Sequence, residues 1–368
     1  KGGVKMLNQT IESLQLPRLL EFEDGSQVTS PEDWQKRREE ILDLLCEEEY
    51  GLRPPAPLSI SAMTNKLDEN AYAGKVLEQH MMLSAEIEGG IFSFPLKVFV
   101  PKFIENPMVI VYIAFREDVP DRYLPIEEIT DEGFAVATFC YNHVAVDGED
   151  NYVGGLAGLL KKEGERAGND TGKIMMWAWA ASRVVDYLET RDDIDHKNIA
   201  VMGHSRLGKT ALVAAAYDER FTFSFPNNSG CSGDAITRGK EGERIEQITN
   251  RFPFWFCPNY KNYAGREADM PFDQHFLVAA IAPRFVCAGT AVEDIWADPN
   301  SQYLSYVAAD EVYKFLGKDG FIHPNRLPEV GDTFHEGTLG FHMRSGRHFH
   351  SRYDWLKFME FMKKHRIN

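Results

Sequence analysis

The spacing of apolar positions changes character several times along the chain. Apolar runs at residues 107–114 (PMVIVYIA), 133–141 (GFAVATFCY) and 199–202 (IAVM) have the length of strands covered on both faces, and 221–225 (FTFSF) and 284–289 (RFVCAG) read as further strands. Between them the period lengthens. Over 171–190, Ile174, Trp177, Ala181, Val184, Val185 and Leu188 recur three and four positions apart, which predicts a helix. A second helix is predicted over 207–217. The polar N-terminal stretch leads into a helix over 31–46, with Thr29 or Ser30 as its cap and Glu32 and Asp33 in its first turn. The chain ends in a helix over 352–365, where Ser351 and Asp354 have capping-box spacing. Two β-like runs, 76–88 and 91–100, flank Gly89-Gly90 and read as a hairpin.

Strands alternating with helices imply an α/β fold with a mainly parallel central sheet and helices on both faces. The hairpin adds antiparallel strands at the N-terminal edge. No repeat, low-complexity tract or linker divides the pattern. The expectation is a single domain over 1–368 with an N-terminal helical extension over about 1–55.

Composition narrows the partners. The formal charge of −16 is spread along the chain, which disfavours nucleic acid and anionic membranes. No apolar run reaches the length of a membrane span, and residues 1–6 do not form a signal peptide. The five cysteines are scattered, without zinc-ligand spacing. They read as buried free thiols, with one disulfide left open.

The chemistry is concentrated in IAVMGHSRLGKTAL, residues 199–212. A buried strand, a glycine, His204-Ser205-Arg206 and a helix-forming run follow in the order of a nucleophile elbow. Such a turn lifts the serine hydroxyl to a helix N-terminus, where amides and the helix dipole favour negative charge. The second glycine comes one residue later than in G-x-S-x-G. Arg206 follows the serine directly, offering an N–H and a cationic side chain to an oxyanion, and Lys209 lies one helical turn on. An acid and a base must follow in the chain order Ser, Asp or Glu, His. Glu293 and Asp294 stand just past the strand at 284–289, with Asp298 a third choice. The base is sought among His335, His342, His348 and His350. His348, in a glycine-containing loop before the last helix, fits best. The His348-x-His350 pair lacks a clear acidic third ligand for a metal.

These residues resemble the glucuronoyl esterases, carbohydrate esterase family 15. The likeness is carried by GHSRLGK at 203–209, WAWAASRVVD at 177–186, PFDQH at 271–275, IAPR at 281–284, and the N-terminal Trp34 to Ile41 stretch with Tyr50-Gly51. It implies an α/β-hydrolase fold and hydrolysis of esters between 4-O-methyl-glucuronic acid on xylan and lignin alcohols. The implied reaction is a two-step acyl transfer without metal or cofactor. By the same resemblance Ser205 is the nucleophile, His348 the base, Arg206 an oxyanion donor, Lys209 a partner of sugar hydroxyls and Trp296 a contact to the uronate. Arg251 and Trp255 stand where fungal members carry sugar-contacting residues.

Two departures matter. Fungal members place the acid in P-x-E-S-G, which here reads Pro226-Asn-Asn-Ser-Gly230, with Asn228 at the acid position. An amide cannot stabilise an imidazolium as a carboxylate does. The acid is therefore expected at Asp294, with Glu293 close behind, and Asn228 is expected to matter little. A fungal disulfide is also missing, its positions being His204 and Phe349. The alternatives are an acetyl-xylan or other carbohydrate esterase, or a catalytically weak carbohydrate-binding relative. The resemblance further implies a secreted or periplasmic enzyme, and a monomer is expected.

Overall fold

The computed structural model describes residues 6–368. The signal-peptide reading of residues 1–6 thus falls, for residues 1–5, outside the described residues. Ten strands form one sheet: β1 (Ser59–Asn70), β2 (Val76–Ile87), β3 (Gly90–Pro101), β4 (Val109–Ala114), β5 (Ala135–Cys140), β6 (Ile199–His204), β7 (Phe223–Asn227), β8 (Phe285–Ala291), β9 (Thr333–Phe334) and β10 (Leu339–Arg344). Their order is β1-β2-β3-β5-β4-β6-β7-β8-β10-β9. β5, β4, β6, β7, β8 and β10 run parallel. β1, β2 and β3 extend that block antiparallel at one edge, and the short β9 does so at the other.

The principal helices are α1 (Leu7–Ser13), α2 (Pro31–Leu45), α3 (Lys173–Leu188), α4 (Arg206–Tyr217), α5 (Pro299–Phe315) and α6 (Arg352–Lys364). The period-two geometry of each strand sends alternate side chains to opposite layers. Val109, Val111 and Ile113 of β4 join the cluster built on α3, α4 and α5, together with Trp34 and Ile41 of α2. Ile110, Tyr112 and Ala114 join Trp355, Phe358 and Met362 of α6 on the other face. This double cover is why β4, β5 and β6 read as nearly continuous apolar runs. Ser30 caps α2, accepting from the Asp33 amide, and Ser351 with Asp354 forms the reciprocal box at α6.

β1, β10 and α5 were not foreseen. All but two residues of β1 are exposed, so it has no apolar face to betray it; it is held by its ladder to β2. β10 is short and carries His342 and Arg344 in a fully buried strand. Among the described residues no disulfide forms, and the five thiols are free. No described helix is long and apolar enough to cross a membrane. The parallel order brings the C-terminal ends of β6, β7, β8 and β10 side by side, and the loops leaving these ends carry the chemistry.

Candidate active site

Ser205 sits between β6 and α4 with φ 59° and ψ −123°, a conformation that L-residues rarely hold. The neighbouring strand fixes it: the Ser205 amide donates to Asn227 O at 2.8 Å. The glycines around it answer to close approaches. A Cβ on Gly203 would stand 2.2 Å from Leu207 O, so the turn closes only with glycine there. A Cβ on Gly208 would stand 3.0 Å from Asn227 O and 3.1 Å from Ser229 Cβ. The late glycine is therefore where α4 passes the end of β7.

The acid arrives from β8. A turn closed by Asp294 N–H to Ala291 O brings that carboxylate inward, and Asp294 Oδ2 accepts from His348 Nδ1 at 2.7 Å. The same oxygen accepts from Asn228 Nδ2 at 2.7 Å. Burial acts to raise the Asp294 carboxyl, but the bonds from His348 and Asn228 outweigh it and hold the group below its usual range. An ionised carboxylate only accepts, so the His348 proton resides on Nδ1 and Nε2 keeps its lone pair. Glu293, the other candidate acid, is exposed and outside the residues that line the cavity, while its amide ties the two loops together by donating to Gly346 O. Asp298 caps α5, accepting from the Ser301 amide and hydroxyl.

The His348 loop is anchored by Arg344. Its guanidinium donates to the carbonyls of Ser345, Arg347 and Phe349, and its Nε to Asp354 Oδ2 at 2.9 Å. His204 underlies the base, with ring centroids 4.5 Å apart. Its Nδ1 meets Asn227 Oδ1 at 2.7 Å. Burial, reinforced by His348 and His350, pushes His204 well below the usual histidine range, so it stays neutral. Tyr123 packs between His204 and Phe349, at 5.2 and 5.0 Å.

Ser205, Arg206, Lys209, Arg251, Trp255, Asp294, Trp296 and His348 line one cavity of about 280 Å3. Trp296 is half exposed and offers its ring to the opening. Trp255 is buried, stacked on Phe252 at 3.8 Å, and lies under the Arg206 guanidinium at 4.8 Å. Lys209 is buried and donates to Ser229 O at 2.5 Å; burial lowers its pKa, opposed by Glu243. The cavity is not a bare cationic patch, as the pairing of Arg206 with Lys209 had implied. Arg206 is ion-paired with Asp147, whose carboxylate also accepts from Tyr141 OH and Trp255 Nε1, each at 2.7 Å. Asp147 escaped sequence reasoning because no motif contains it, and 59 residues separate it from Arg206.

Known proteins can now be set beside this geometry. A sequence profile described as "Glucuronyl esterase, fungi" matches residues 84–317. Carbohydrate esterase MZ0003 from an unknown prokaryotic organism is 32% identical, covering 95% of this chain and 89% of its own length. A 4-O-methyl-glucuronoyl methylesterase of Wolfiporia cocos is 31% identical, covering 82% of this chain and 72% of its own. Among solved structures, a glucuronoyl esterase from Solibacter usitatus superposes with a TM-score of 0.88 at 32% identity, covering 95% of this chain and 97% of its own. A structure described as a promiscuous CE15 esterase from a marine bacterial metagenome gives 0.86 at 32% identity, with the same coverage of 95% and 97%.

Proposed function

Because the chain belongs to the glucuronoyl esterases of carbohydrate esterase family 15, and so is a carboxylic ester hydrolase, we propose that it cleaves uronic acid esters of xylan through an acyl-enzyme on Ser205. The observation that carries this reading is the 2.7 Å bond from His348 Nδ1 to Asp294, in the cavity that Ser205 lines. His348 Nε2 takes the Ser205 proton as the hydroxyl attacks the uronate carbonyl. Asp294 stabilises the imidazolium that results, and Asn228 and Ala297 N–H steady Asp294. Arg206 and the free amides at the start of α4 receive the oxyanion. His348 returns the proton to the departing alcohol, then activates the water that frees the uronate. Lys209, Arg251 and Trp296 border the space left for one sugar ring. No step calls for a metal or cofactor.

Activity on benzyl glucuronate tests the reading: Ser205→Ala abolishes it, and full activity in that variant would end the proposal. A fluorophosphonate labels Ser205 if the protein is a working hydrolase rather than a weak carbohydrate-binding relative. One specific observation favours a second reading, an esterase for other sugar esters: a relative of this chain is described as promiscuous. Side-by-side rates on acetylated xylan and methyl glucuronate separate the two. A polymeric plant-wall substrate cannot reach a cytoplasmic enzyme, so the protein acts outside the cytoplasm, and we take it to do so as a monomer.

A further inference from the structure

We propose that Cys287, His335 and His342 form a buried metal site that takes copper(I). One donor atom of each residue lies within 4.8 Å of those of the other two. All three residues are buried, Cys287 and His342 completely. Cys287 lies on β8 and His342 on the adjacent parallel strand β10, while His335 follows β9. The register makes room for them. Cys287 pairs with Gly340 and His342 with Gly289, so each bulky group stands beside a glycine. A Cβ on Gly340 would come within 2.8 Å of Cys287 Sγ, and one on Gly289 within 3.0 Å of His342 Cε1.

Each histidine keeps one buried ring nitrogen, His342 Nδ1 and His335 Nε2, with no hydrogen-bond partner among the described residues. Aromatic rings pack against both, with Phe358 5.3 Å from the His342 ring and Phe361 5.3 Å from His335. Unpartnered polar atoms in such an interior are costly and call for an occupant. His342 is already oriented as a ligand would be. Its Nε2 meets Asp354 Oδ1 at 2.7 Å, the carboxylate contact that metal-bound imidazoles commonly make. Since the Asp354 carboxylate accepts there, Nδ1 is the nitrogen with the lone pair.

The donor set selects the ion. Sulfur with two imidazoles suits copper(I) or zinc. Zinc seeks four ligands, and with one thiolate it would leave a net positive charge in a dry core. Copper(I) accepts three ligands, and with one thiolate the site is neutral. On binding, the Cys287 S–H bond breaks, its proton passes to solvent and a copper–sulfur bond forms; copper stays monovalent, so no oxidant or reductant is needed. The ion would tie β8 to β10, the two strands whose loops carry Asp294 and His348. Its role is a staple for those strands and not a part of the reaction.

The test is competition, without oxygen, against the copper(I)–bicinchoninate complex, warm enough for the core to open. The wild-type enzyme withdraws one equivalent, and Cys287→Ser and His335→Gln bind at least ~100-fold more weakly. Copper(I) raises the melting temperature of the wild type on the order of 5 °C, and of neither variant. Esterase activity of the metal-free variants within about twofold of wild type shows that they fold. A wild type that withdraws no copper, or variants that bind as well as it does, would overturn the site. One equivalent of zinc bound in preference to copper(I) would overturn the choice of ion.

Discussion

Removing Asp147 tests whether the oxyanion arginine is held in place or merely nearby. The Asp147 side chain is 6% exposed and the Arg206 side chain 28%, so their ion pair is largely shielded from water. Asp147→Ala deletes the partner of Arg206 and also the acceptor for Trp255 Nε1 and Tyr141 OH. Breaking a buried pair by removing one partner costs about 3–5 kcal/mol. The partial exposure of Arg206 lets it rehydrate, which brings the figure to roughly 2–3 kcal/mol. If that energy fixes the guanidinium at the oxyanion, its loss appears in kcat as about 100-fold, the lower end of what one oxyanion donor supplies. KM changes far less, because the interaction strengthens only in the transition state. The assay is a double-mutant cycle on benzyl glucuronate. Asp147→Ala, Arg206→Ala and the double variant are predicted to lose similar amounts, a coupling of about 2.7 kcal/mol. A double variant that loses the product of the two single effects, about 10⁴-fold, would show that Asp147 does not act through Arg206.

Three further outcomes are expected. Asp294→Asn lowers kcat about 10⁴-fold, as the wrong imidazole tautomer does in serine hydrolases, while Glu293→Gln stays within about twofold; the reverse order would relocate the acid. Asn228→Ala, which the sequence led one to think harmless, costs about 10–100-fold in kcat/KM, because it deletes a buried hydrogen bond to a charged carboxylate worth about 1.5–3 kcal/mol. The same loss removes a bond that holds the Asp294 carboxyl low, so that carboxyl protonates at higher pH and the acidic limb of the rate profile moves up; an unmoved limb counts against the assignment. Finally, burial pushes His335 and His350 down to about 3, against an ordinary value of about 6.5. Between those values such a histidine binds its proton only when unfolded, so stability falls as pH falls, by about 1.4 kcal/mol per pH unit for each. Urea titrations between about pH 4 and 6, with a chelator present, are expected to lose one proton's worth of slope in His335→Asn.

What was legible in the chain followed its local physics. β4, β5 and β6 were readable because burial on both faces leaves their apolar runs nearly continuous, and α3 because its apolar stripe repeats at helical spacing over sixteen residues. β1 and β10 were not, since the first is held by its neighbour's ladder and the second buries polar side chains. The elbow was legible as strand, turn and helix. Which of Glu293 and Asp294 meets His348 was not, because adjacent residues differ only in which way a turn points them, and the turn closed by Asp294 N–H to Ala291 O sets that direction. Asp147 and Arg344 act across loops that no spacing connects.

Asn228 shows how a departure from a family pattern can mislead when read one position at a time. An amide at the fungal acid position suggests a weakened site if β7 is considered alone. β7 and β8 are adjacent, however, and the Asn228 amide donates to Gly289 O at 2.9 Å, so the ends of both strands face the same imidazole. Asn228 holds φ +47°, in the region that asparagine tolerates better than most residues, and this turn aims its side chain at Asp294. A carboxylate at both positions would place two like charges against one base and raise one of their pKa values. With the charge supplied from β8, the β7 position is best filled by a neutral donor of similar shape, and asparagine is that residue. Asn228 and Asp294 are therefore one arrangement, in which the amide steadies the carboxylate that meets His348.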